Sequence, residues 1–225
     1  MINETGRNIY DERPADLDLK EHQDLTNSPR IEILRKGFEG STNELEELLE
    51  KHNIPQMVSN ITGLDWKTAS IKLRHTESQA DWEGDDTVLV NLDHGPYCIS
   101  GLSHEMVHLL FRQNNWLEST EISKFIENHP EMREYSAGKD GYPIEQMVAY
   151  LVQDEICKKI GKKEGLNILA ETGGHGDFEK ILDTEYGSDI KKKIGKTMME
   201  RWTKLEDYSD VLKWIESLLK EIDNG

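Results

Sequence analysis

The sequence predicts an α+β fold: a small sheet in the first half, a buried helix near the centre and a largely helical C-terminal half. Three observations carry this reading. Ser70-Ile71-Lys72-Leu73-Arg74 alternates in type and Thr87-Val88-Leu89-Val90-Asn91-Leu92 is rich in β-branched residues, as strands are. Leu102, Met106, Val107, Leu109, Leu110 and Phe111 then place apolar side chains almost all the way round one helix, the pattern of a buried helix. From Pro143 onward, apolar residues return at helical spacing in three further segments.

The elements follow in order. Residues 1–30 are polar and acidic, contain Pro14 and Pro29 and lack apolar periodicity, so they read as a poorly ordered arm, with a site-blocking segment as the functional alternative. Residues 31–225 read as one domain. Ser41 and Glu44 form a capping box ahead of Leu45, Leu48 and Leu49, which predicts a short helix ending near His52. Gly84-Asp85-Asp86 supplies turn chemistry between the strand runs, and His94 and Gly95 turn the chain into the buried helix. Residues 118–134 suggest a surface helix broken at Pro130, and 134–141 a loop. Pro143 suits the first position of the next helix. Gly173 to Asp177 reads as a turn without the lysine and hydroxyl of a phosphate loop. Amphipathic helices near 188–204 and 208–222 close the chain, with stripes through Ile194, Met198 and Trp202 and through Val211, Ile215 and Leu218.

Composition narrows the function. Against 27 basic residues stand 44 acidic ones, a formal charge of −17, which repels phosphate backbones and argues against a nucleic-acid partner. Two cysteines, Cys98 and Cys157, give no disulfide framework, and Cys98 reads as a buried structural thiol. No apolar run approaches a bilayer span, and the first residues carry no secretory signal, so a cytoplasmic protein is expected. Nothing in the sequence fixes an oligomeric state.

The buried helix carries the chemistry. His104-Glu105-Met106-Val107-His108 is an H-E-x-x-H pattern. Residues four apart share a helix face, so both imidazoles can turn to one metal ion, and Glu105 projects beside them where it can accept a proton from a metal-bound water. Polar groups in a dry interior need partners, so two buried histidines flanking a glutamate favour a ligand role over that of ordinary core histidines. A catalytic zinc keeps three protein ligands and an open position, so a third ligand is expected downstream. Glu145 is the first candidate, because it lies on a stripe with Val148, Ala149, Val152 and Ile156; Glu155, His129 and His175 compete.

His104, Glu105, His108 and Glu145 together resemble the glutamate-zincin (gluzincin) branch of zinc metallopeptidases, over roughly residues 86–156. The resemblance implies a zincin-like fold, zinc held by His104, His108 and Glu145, and Glu105 as general base in peptide hydrolysis. It also implies an oxyanion donor: Tyr142 is the first choice, then Tyr135, Tyr150 and His175. In such enzymes the strand before the metal helix is often a sheet edge that pairs with an extended substrate, and residues 87–92 hold that place here. The longer zinc pattern with a glycine and a third histidine does not fit, since Phe111 and Asn114 occupy those positions. Two alternatives stay open: a non-catalytic zinc-binding interaction module, and a structural domain whose histidines meet no metal.

Overall fold

A computed structural model describes residues 28–78, 80–133, 143–164, 189–202 and 211–224. The chain is α+β and mostly helical, with a mixed four-stranded sheet and seven α-helices among the described residues. Strands β1 (Arg30–Leu34), β2 (Ser70–His75), β3 (Asp81–Glu83) and β4 (Thr87–Val90) lie in the order β1-β2-β4-β3. β1 runs parallel to β2, with Ile31 opposite Ile71, and β2 runs parallel to β4, with Leu73 opposite Val88. β3 turns back antiparallel on β4, with Trp82 opposite Val88.

This order corrects the expectation that residues 87–92 form a sheet edge. β4 is flanked on both sides and ends at Val90, and the edge strands are β1 and β3. The reason is geometric. Parallel strands such as β2 and β4 cannot be joined by a tight turn, and the connecting segment folds back to cover the open side of β4. Gly84, at φ 65°, makes the tight reversal between β3 and β4. Strand β1 begins at Arg30, inside the segment read as an arm, and its alternating Ile31 and Ile33 pack against the core. Residues 1–27 lie outside the described residues.

Two helices connect β1 to β2. Helix α1 (Asn43–Lys51) covers the predicted short helix, but its cap differs: Thr42 is the N-cap residue, and its hydroxyl donates to Glu46 rather than closing a box with Glu44. Helix α2 (Ile54–Thr62) was not expected. Asn53 caps it by accepting from the Gln56 N–H, Pro55 sits in its first turn and Gly63 closes it in the left-handed conformation. Asn91 caps a 3-10 segment, Leu92–Cys98, bent at Gly95 (φ 52°, ψ −129°), a conformation only glycine adopts readily. That bend feeds helix α3 (Ile99–Gln113), which is buried on nearly every side.

Helix α4 (Thr120–Asn128) and a 3-10 turn, Pro130–Met132, occupy the predicted surface segment. Helix α5 (Pro143–Glu164) packs along α3. Helices α6 (Asp189–Trp202) and α7 (Val211–Asn224) close the chain and bury the predicted stripes. The loop read at 134–141 and the turn at 173–177 lie outside the described residues. Among the described residues no helix is long and apolar enough to cross a membrane.

Two local contacts set the position of these helices. Glu164 at the end of α5 takes Lys51 Nζ at 2.7 Å and His52 Nε2 at 2.6 Å, tying α5 to the end of α1. The Lys51 and His52 hydrogen bonds hold the Glu164 carboxyl below its ordinary value of 4.5. A carboxyl with a lowered folded value stabilises the fold above the unfolded value and stops doing so as pH falls through the folded one. The stability gap between wild type and Glu164→Gln in denaturant unfolding should therefore be open at neutral pH and shrink progressively as pH falls below 4.5; a gap that does not shrink in acid refutes the clamp. Gly101 is the second contact. A Cβ there would meet the Ala80 Cβ at 2.8 Å. Gly101→Ala should lose about 1–3 kcal/mol by overpacking, against about 1 kcal/mol gained in helix propensity; net stabilisation in the same assay would show that β3 yields freely.

Candidate metal centre

The H-E-x-x-H residues lie in the middle of α3, where the apolar run forces the helix inside. His104, Glu105, His108 and Glu145 are 8, 8, 4 and 9 % exposed, so each polar group depends on protein partners. Those partners come mainly from α5. His108 Nδ1 lies 2.8 Å from Glu145 Oε1. His104 Nδ1 lies 2.9 Å from Gln153 Oε1, and its Nε2 lies 3.0 Å from Gln146 Oε1. Gln153 Nε2 in turn donates to Ser100 Oγ at 2.6 Å. Advancing along α3 from Ser100 to His108, the partners recede along α5 from Gln153 to Glu145, so the two helices are antiparallel and share a polar seam.

The histidine rings lie together, their centroids 5.0 Å apart and edge-on, and the Tyr150 ring sits 4.7 Å from that of His104. His108 Nε2 is buried and has no hydrogen-bond partner among the described residues. Burial pulls the His108 ring towards its neutral form, but the hydrogen bond and charge of Glu145, with the charges of Glu105 and Asp81, outweigh it and raise its pKa. Asp81 begins the edge strand β3, so the sheet edge contributes to the field at the histidine. Burial pushes the thiols of Cys98 and Cys157 up to about 12, which makes both poor nucleophiles and poor ligands.

Of the candidate ligands, His104 and His108 lie side by side and Glu145 meets His108. Glu155 is half-buried and stands ten residues further along α5, about 15 Å away by helical rise. His129 instead pairs with Asp223 of α7 at 3.1 Å. Tyr142, Tyr135 and His175 lie outside the described residues, so Tyr150 is the only described candidate for the oxyanion donor. Ser100, Gln146, Gln153 and Asp81 were missed from the sequence. Gln146, Tyr150 and Gln153 do recur at the spacing of one helix face, a signal available before the structure.

The donor types suit zinc: two imidazoles and one carboxylate, with one buried imidazole nitrogen left without a partner among the described residues. Among the described residues, no group of three or more His, Cys, Asp and Glu side chains stands in an arrangement that could hold a metal ion. Sharing one ion would require side-chain rotation, since Glu145 meets Nδ1 of His108 while the unpartnered atom is Nε2. Compared with protein-family models, curated proteins and solved structures, the chain matches none.

The pairing of His108 with Glu145 sets a pH dependence. A histidine whose folded pKa is raised stabilises the protein fully below its unfolded value, here 6.5, and less as pH rises through the folded value. In zinc-stripped protein, Glu145→Gln should therefore destabilise more at about pH 6 than at about pH 9, by up to about 3 kcal/mol for a broken buried pair. An equal loss at both pH values, read by denaturant unfolding, would contradict this pairing.

Proposed function

We propose that the chain is a zincin-like, zinc-dependent hydrolase of peptide bonds, with His104, His108 and Glu145 as ligands and Glu105 as general base. One observation carries the reading: two buried histidines lie one helical turn apart, an acid from a second helix meets His108, and the other nitrogen of that ring has no partner among the described residues. Zinc, when bound, supplies a Lewis acid that polarises a carbonyl and makes water more acidic. Glu105, on the same turn of α3, accepts the proton as water attacks and passes it to the departing amine. A Tyr donor, Tyr142 or Tyr150, would stabilise the developing oxyanion, worth about 3 kcal/mol in comparable sites. The free edge on the side of α3 is β3, so an extended peptide would pair there rather than along residues 87–92.

A second reading, a structural or merely zinc-binding seam, draws on the hydrogen bonds that already engage both nitrogens of His104. Zinc content of protein purified without an affinity tag separates the structural reading, which expects none. Glu105→Gln then separates the enzyme from the binding module. The variant should retain zinc while losing at least about 100-fold in turnover of a peptide library, and wild-type turnover should stop with a chelator. Full activity in Glu105→Gln, or none in zinc-loaded wild type, would overturn the proposal.

A further inference from the structure

The two histidines of α3 are held differently: His108 meets the carboxylate of Glu145, and His104 meets two carboxamides. Both of its ring nitrogens face a glutamine carboxamide oxygen, at 2.9 Å from Gln153 and 3.0 Å from Gln146. A neutral imidazole has one N–H to give, so only one of these oxygens can accept from it. The two glutamines are not equivalent. Gln153 is 3 % exposed, and its amide nitrogen is committed to Ser100 Oγ at 2.6 Å, which turns its oxygen towards His104 Nδ1. Gln146 is half-buried, and among the described residues no hydrogen bond anchors its amide nitrogen, so it can turn its –NH2 to the ring instead.

We infer that the Ser100–Gln153 pair is a positioning device that holds the His104 proton on Nδ1 and thereby directs the Nε2 lone pair into the space between α3 and α5. Several features of the fold make the device stiff. Ser100 lies one turn before His104 on α3, so the hydroxyl that accepts from Gln153 and the ring share a face. Gln153 comes from the other helix, so tilting the ring would strain a hydrogen bond that crosses the seam. Tyr150 packs against the ring and restricts its rotation. A ligating histidine whose second nitrogen is fixed in this way binds metal more tightly, and loss of such a partner typically costs 10–100-fold in affinity. The inference rests on the zinc reading only for what Nε2 meets; the tautomer is a property of the protein by itself.

The test uses the full-length protein stripped of zinc. Nitrogen-15 NMR of the His104 ring, assigned against His104→Asn, should show the Nδ1–H tautomer at a pH where the ring is neutral. Ser100→Ala, which leaves every neighbour of the ring in place, should lower the Nδ1–H fraction. Gln153→Leu should abolish the preference and weaken zinc binding by about 10–100-fold in competition with a chelator. Gln153→Glu keeps an acceptor at Nδ1 and should restore both. An Nε2–H tautomer in wild type, or a tautomer unmoved by Ser100→Ala and Gln153→Leu, would overturn the inference. If Gln153→Leu fails to fold, the wild-type and Ser100→Ala spectra still decide it. Wild type that shows Nδ1–H but takes up no zinc would instead overturn the zinc reading and leave the positioning role standing.

Discussion

The seam between α3 and α5 is the constraint on which the site depends. A helix as apolar as α3 can only sit inside, yet it takes His104, Glu105 and His108 inside with it. Burying such groups unpaired costs several kcal/mol, so a second helix must bring polar atoms to the same depth. Helix α5 does so with Glu145, Gln146 and Gln153 while remaining apolar elsewhere on its buried faces. The long run of buried residues on α5 is the counterpart of the all-round burial of α3. Neither helix would be stable at this depth beside a wholly apolar partner.

The sheet completes the enclosure from the other side. β3 is short and its first and last residues are charged, which suits an exposed edge. It reaches α3 because Gly101 has no side chain to hold Ala80 away. Gly101, Glu105 and His108 follow at intervals of four and three residues and so lie on one face of α3. The close approach at Gly101 therefore sets how near the edge strand comes to Glu105 and His108, and the effect of Asp81 on His108 is its electrostatic trace.

The sequence made the helical half legible, because the apolar periodicity of α3, α5, α6 and α7 extends over many turns. It also made the pairing of His108 with Glu145 legible, since an H-E-x-x-H helix asks for a further group and Glu145 sits on an apolar stripe. The sheet was less legible. β3 is too short to show alternation, and strand order depends on contacts between residues far apart in the chain. β1 and α2 are a different case. Ile31 and Ile33 alternate with charges, and Asn53, Pro55 and Gly63 are ordinary start and stop signals, so the information was local and was overlooked beside the polar arm. The roles of Gln153 and Ser100 could not be read in advance. Each is an unremarkable polar residue until the antiparallel packing of α3 and α5 brings them together.

The two histidines are not used alike, and the difference bears on why the seam is polar at all. A purely structural seam would gain from replacing the buried His108–Glu145 pair with packed apolar side chains, which is often neutral or stabilising. Instead the pair is present, and among the described residues His108 Nε2 is buried without a partner, a cost of about 1–3 kcal/mol for such an atom. The neighbouring His104 has protein partners at both nitrogens, so helices in this geometry are able to satisfy a buried imidazole fully. An unmet donor or acceptor one turn away from a fully met one is therefore not forced by the packing. It is on that atom that the zinc proposal rests.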